Sequence, residues 1–138
     1  MTSQNFHPYG CLIHYPNKAQ KGKKRNLFRI VLSENQSKGW RIAYLIVRDQ
    51  SIKKLECHPH SYESFEPVIG KSWLYVARKK DPKAIKCFYL DRPIILNKGI
   101  WHGVVTKTFE SEIKLTENAK VGCVYWSLGF RLGYFSSK

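Results

Sequence analysis

From end to end the chain breaks its apolar residues into short runs rich in Val, Ile, Tyr, Phe and Trp, separated by clusters of Gly, Pro, Asn, Asp and Lys. The runs recur about every ten residues, and no long segment carries a period of 3.6. That rhythm excludes a helical bundle and βαβ units and points to an antiparallel sandwich or barrel. Strands are expected near Gly10 to Tyr15, Leu27 to Leu32, Trp40 to Arg48, Ile52 to His58, Ser72 to Arg78, Ile85 to Leu90, Ile94 to Leu96, Gly103 to Lys107, Glu112 to Thr116, Val121 to Leu128 and Arg131 to Phe135. A single helical turn is expected around Tyr62 to Phe65, ended by Pro67. Val121 to Trp126 is apolar at both parities, which predicts a strand buried on both sides, or one with a face in the barrel and the other in a subunit interface, and favours a homodimer.

At 138 residues the chain reads as one domain with enough length for a core. Residues 1–26 read as an N-terminal strand at a barrel edge followed by a basic linker, and 27–138 as the barrel. No apolar run approaches the roughly 18 residues of a membrane span. Met1 to Asn5 lacks both a basic and an apolar leader region, so a cytoplasmic protein is expected. Cys11, Cys57, Cys87 and Cys123 form no C-x-x-C pair. That excludes a zinc knuckle or thioredoxin-like motif and leaves reduced, half-buried thiols as the expectation.

The formal net charge of +14 calls for an anionic partner. No acid precedes Glu34. Lys18, Lys21, Lys23, Lys24 and Arg25 form one basic cluster, and Arg78, Lys79, Lys80, Lys83 and Lys86 a second. Neither a helix-turn-helix pattern nor an RNP-like aromatic motif accompanies them, so nucleic acid is the secondary expectation and a small anionic metabolite the first.

Chemistry concentrates in Leu55 to Glu63, where two carboxylates and two imidazoles share one short stretch. On a strand, Glu56 and His58 point to the same face. Pro59 should stop the pairing, and Glu63 can return to the site on the next element. His102 follows Gly99 at the end of a short apolar pair, a spacing that suits a tight turn delivering an inward side chain. Imidazole nitrogens with carboxylate oxygens suit a divalent transition ion such as zinc, nickel, manganese or iron.

Two spacings resemble the paired motifs of the cupins. Glu56-x-His58, Glu63 and Gly70 follow the first, and Asn97, Gly99 and His102 the second. Three types differ: Glu56 replaces the first His, Asn97 a Pro, and Gln50 the opening Gly. Within the cupins, Leu55-Glu56-Cys57-His58-Pro59, Glu63-Ser64-Phe65-Glu66-Pro67, Gly70 before Trp73 to Ala77, and Ile100-Trp101-His102 resemble the ureidoglycolate lyase family over about residues 52–107. That family usually has Gln at the place of Glu63, Tyr-His at Leu96-Asn97 and a second His at Gly103.

The resemblance implies an all-β cupin-like (double-stranded β-helix, or jelly-roll) barrel with little helix. It further implies a metal-dependent lyase that releases urea and glyoxylate from ureidoglycolate in purine nitrogen catabolism. A metal would then be held by Glu56, His58, Glu63 and His102. Glu63 or His60 would handle protons, and Lys98 or Arg78 at the rim would pair with the substrate carboxylate. A cupin that binds an acidic metabolite or sugar without turnover, and a basic nucleic-acid-binding module on the same scaffold, are the alternatives.

Overall fold

The computed structural model describes residues 1–14, 28–36 and 38–133. A four-residue helix, α1 (Ser3–Phe6), opens the chain under a capping box between Thr2 and Asn5. Ten strands follow: β1 (Gly10–Leu12), β2 (Trp40–Val47), β3 (Ser51–Cys57), β4 (Glu63–Ile69), β5 (Ser72–Arg78), β6 (Asp81–Tyr89), β7 (Ile94–Leu96), β8 (Trp101–Thr106), β9 (Ser111–Asn118) and β10 (Val124–Gly133). They form two five-stranded antiparallel sheets, sheet A in the order β1-β7-β4-β9-β2 and sheet B in the order β10-β3-β8-β5-β6.

Residues opposite one another on paired strands share a face, so the register fixes what points inward. Phe65, Ile94 and Ile113 from sheet A meet Leu74 and Val76 from sheet B in one buried cluster, closed at one end by Phe6, Tyr9 and Leu12. The N-terminal strand is the edge of sheet A, where the sequence places it.

The structure departs from the sequence expectations in four places. Tyr62 to Phe65 is not a helical turn. Glu63–Ile69 is a strand, and Pro67 is tolerated within it next to a register shift against β9. Residues 28–32 form no strand; with the residues up to Glu34 they border an open depression of about 490 Å³ on the outer side of sheet A. The two expected C-terminal strands are one, β10, interrupted by a register shift between Ser127 and Leu132. Within the single chain Val121 to Trp126 is not covered on both faces: Val124 and Tyr125 of β10 are exposed. The four cysteines are free, with Cys57 buried and Cys87 and Cys123 exposed. The basic run from Lys18 to Arg25 lies outside the described residues.

Candidate metal centre

The two sheets meet over a polar cluster at one end of the core. β3 supplies Glu56, and the strand ends at Cys57, one residue before His58, because Pro59 has no N–H to continue the ladder. The chain turns and re-enters as β4, whose first residue is Glu63. Glu63 crosses to sheet A, so it faces the imidazoles from the opposite layer. His102 sits directly opposite Glu56 in the β3–β8 pair. Gly99 makes this possible: its φ of 78° is a left-handed conformation, and its N–H bonds the carbonyl of His58 at 3.0 Å. The turn that carries His102 is thus tied to the strand end that carries His58.

Three of these side chains are almost fully enclosed: His58, Glu63 and His102 are 6%, 4% and 3% exposed. Glu63 Oε2 lies 3.0 Å from His58 Nε2 and 3.2 Å from His102 Nε2, and Glu56 Oε1 lies 3.6 Å from His102 Nε2. The other nitrogen of each ring is engaged by the backbone. His58 Nδ1 is 3.2 Å from the carbonyl of Gly122, and His102 Nδ1 is 3.0 Å from that of Ile100. A carbonyl can only accept, so each Nδ1 carries its proton and each neutral ring presents the Nε2 lone pair to the centre. With both rings neutral, no proton lies between them, so Glu63 Oε2 and His102 Nε2 are buried 3.2 Å apart without a hydrogen bond.

An oxygen and two nitrogens that aim lone pairs at one point repel one another unless a cation sits among them. Protons or a metal ion can fill that role. Two carboxylates with two imidazoles fixed at Nδ1 match a divalent transition ion, and the anchoring carbonyls are the outer-shell partners that metal-bound histidines usually have. Glu56, His58 and His102 offer ligand atoms within 4.8 Å of one another, and so do His58, Glu63 and Glu117.

Without an ion, protons must balance the cluster. Burial pushes the Glu63 pKa up, but contact with His102 and His58 outweighs it and brings the value to about 2. Burial pulls His102 down, but Glu56 and Glu63 outweigh it and lift the value to about 10. His58 is likewise raised against its burial, chiefly by Glu63, and Glu56 is lowered, chiefly by His102. The lowered Glu63 contributes stability that is present above its unfolded value near 4.5 and lost as pH falls towards 2. The raised His102 contributes stability that is complete below 6.5 and lost as pH rises towards 10. Metal-free protein should therefore melt highest between about pH 4.5 and 6.5. Thermal scans in chelator across pH check this; a melting temperature that climbs steadily from pH 6 to 9 would contradict it.

Not every residue expected at the site is brought there. His60 is exposed in the turn after β3, where its carbonyl accepts from Asn118 Nδ2. Lys98 is paired with Glu34 and lies over the Tyr62 ring. Arg78 is exposed at the end of β5. Trp101 alternates with the inward His102 and packs against Trp126, 5.8 Å between ring centroids, on the outer face of sheet B.

Other residues reach the site that sequence reasoning missed. Glu117 is opposite Glu63 in the β4–β9 register, and Arg41 donates to its Oε1 twice, at 2.9 and 2.8 Å. Lys54 and Tyr125 border an open mouth of about 320 Å³, which reaches Glu56 and His102 beside Gly103. Lys54 Nζ lies 4.6 Å from the Tyr125 ring centre. Strand alternation gave a signal for Lys54, which shares the face of Glu56 two residues on. Glu117, Arg41 and Tyr125 depend on strand pairing and gave none. Gly103 explains one departure from the family pattern: a Cβ there would come within 2.4 Å of Ile52 Cδ1, so a second histidine would have to displace it.

No family model and no curated protein sequence matches the chain. Solved structures do match. A tryptophan-substituted variant and a two-residue deletion variant of Bacillus subtilis oxalate decarboxylase each superpose with a TM-score of 0.50 at 17% identity. A third structure of that enzyme, described for its Mn(II) centres, matches equally, with a TM-score of 0.50 at 17% identity. Each match covers 65% of this chain and 24% of the oxalate decarboxylase chain, so this chain spans about a quarter of the length of those proteins. At this identity the likeness is one of fold. The protein is a cupin-fold barrel, all-β but for α1, with a buried His/Glu cluster that can hold a metal ion. No helix among the described residues is long and apolar enough to cross a membrane.

Proposed function

We propose that this barrel is a metal-dependent lyase that cleaves a small anionic carbinolamide, ureidoglycolate, into glyoxylate and urea. The observation that carries the metal is the buried, unpartnered Glu63 Oε2 set between two imidazoles anchored at Nδ1. The substrate comes from the likeness of the Leu55 to Pro59 and Ile100 to His102 segments to the ureidoglycolate lyases. His58, Glu63 and His102 would hold the ion, with Glu56 as a fourth ligand at the mouth. Manganese, zinc, nickel or iron in this site would polarise the substrate oxygens as a Lewis acid.

The chain's own residues do the rest. Lys54 is the cation at the mouth and pairs with the substrate carboxylate, the task the family resemblance implied for Lys98 or Arg78. The substrate hydroxyl must lose a proton as its C–N bond breaks, and the departing urea nitrogen must gain one. Glu56 is held ionised and is partly open to the mouth, so its outer oxygen can take the first proton and return it to the nitrogen. The enclosed walls keep His58 and His102 from bulk water.

Metal-loaded protein should release urea and glyoxylate in equal amounts from ureidoglycolate. Lys54→Ala should raise KM about ten- to a hundredfold with kcat little changed, because Lys54 contacts a part of the substrate that does not react. Binding without release of either product would contradict the lyase, and an unchanged KM would remove Lys54 from the site.

A further inference from the structure

Sheet A carries a line of charge that the four-ligand centre does not use. Register sets Glu63 on β4, Glu117 on β9 and Arg41 on β2 side by side across three neighbouring strands. Glu63 and Glu117 are directly opposite one another and are 4% and 8% exposed. Like charges at opposed positions of paired strands repel, and more strongly out of water. Two buried carboxylates held this way need a cation between them.

Arg41 supplies only part of that charge. Its Nε and Nη2 both donate to Glu117 Oε1, at 2.9 and 2.8 Å, and its own side chain is half exposed. Both bonds go to the same oxygen, so Glu117 is fixed in place while Oε2 keeps its lone pairs for a second cation. Glu117 offers a ligand atom within 4.8 Å of those of His58 and Glu63. Atoms bonded to one ion at about 2.0–2.2 Å can lie about 4.4 Å apart, so a small side-chain adjustment puts all three on a common ion. The buried, unpartnered Glu63 Oε2 and His102 Nε2 mark where that ion belongs. The charges also balance. Glu56, Glu63 and Glu117 bring three negative charges, Arg41 returns one, and with both imidazoles neutral a divalent ion cancels the remaining two.

We propose that Glu117 is a fifth metal ligand, one that strengthens manganese(II) binding and leaves zinc(II) binding almost untouched. Zinc is satisfied by four donors, which Glu56, His58, Glu63 and His102 already provide. Manganese favours six ligands and carboxylate oxygen, so it gains from a third carboxylate and keeps one position open. Raw affinity runs from manganese up to zinc at any one site, so Glu117 acts by narrowing that gap. The inference rests on the metal centre proposed above and is independent of the lyase chemistry.

The test measures dissociation constants for manganese(II) and zinc(II) by competition with a chelating indicator, on full-length wild type and Glu117→Gln. The amide keeps the shape and can still accept from Arg41, but it loses the charge. Manganese should bind at least about tenfold more weakly in the variant, since a ligand should matter no less than an outer-shell partner. Zinc should weaken by about threefold or less. A crystal structure of manganese-loaded wild type, which needs no variant, should show a Glu117 oxygen bonded to the ion.

Equal weakening of both metals would make Glu117 a general support of the site and overturn the proposal. So would unchanged manganese affinity, or a manganese-loaded structure in which Glu117 touches Arg41 alone; either leaves the four-ligand centre standing. Wild type that binds neither metal would overturn the proposal together with the centre itself.

Discussion

Glu63→Gln, in metal-free protein at pH 6, should unfold about 3–5 kcal/mol more easily than wild type. Glu63 is the carboxylate common to both imidazoles, with Nε2 atoms at 3.0 and 3.2 Å and 4% exposure. The amide keeps the shape and removes the charge. His58 and His102 would then face only the half-exposed Glu56 and the Glu117 already held by Arg41. A buried charge that loses its partner costs far more than an exposed one, so the melting temperature should fall by about 10–20 °C. The control is Glu110→Gln, which removes an ion pair to Arg48 with both partners well exposed. That change should cost less than about 1 kcal/mol. Similar losses for both variants by urea denaturation would mean that Glu63 is not the hub of the cluster.

The second large effect is stabilisation by metal. A divalent ion that binds the folded site and not the unfolded chain adds about 4 kcal/mol when its concentration is a thousand times the dissociation constant. For a chain of this length that is a rise in melting temperature of about 10–20 °C. The ion displaces the protons that balance the cluster, so titration near neutral pH should also release protons, seen as a buffer-dependent heat. His102→Ala should abolish both the thermal shift and the proton release, since it removes the unpartnered Nε2. A shift that survives in His102→Ala would place the ion elsewhere on the protein.

Much of the barrel was legible because strand alternation and breaker residues are local signals. Ser72–Arg78 and Ile94–Leu96 are strands with the expected ends. Pro59 stopped β3 as its missing N–H requires, and Glu63 returned on the next strand. β4 was misread because Pro67 resembles a helix terminator, whereas the pairing with β9 shifts register beside it and absorbs the proline. Residues 28–32 have strand composition but no partner strand, and composition alone cannot supply one.

The site was legible in part for the same reason. Glu56, His58, Glu63 and His102 share a short motif or a turn signature, and the structure brings their side chains together. His60 and Lys98 were chosen by closeness in sequence, and the fold leaves one exposed and pairs the other with Glu34. Glu117 and Arg41 reach the cluster only through the register of β9 against β4 and β2, which is long-range information. Trp101 follows from parity alone: with His102 pointing in, its neighbour has to point out.

The most direct test of the central claim is the metal content of tag-free protein after loading with manganese, zinc, nickel or iron and exhaustive dialysis. Elemental analysis is run on wild type beside His102→Ala. About one ion per chain in wild type and none in the variant is the predicted result. No retained ion in wild type under any of the four loadings, or equal retention in the variant, would contradict a metal centre built on His58, Glu63 and His102.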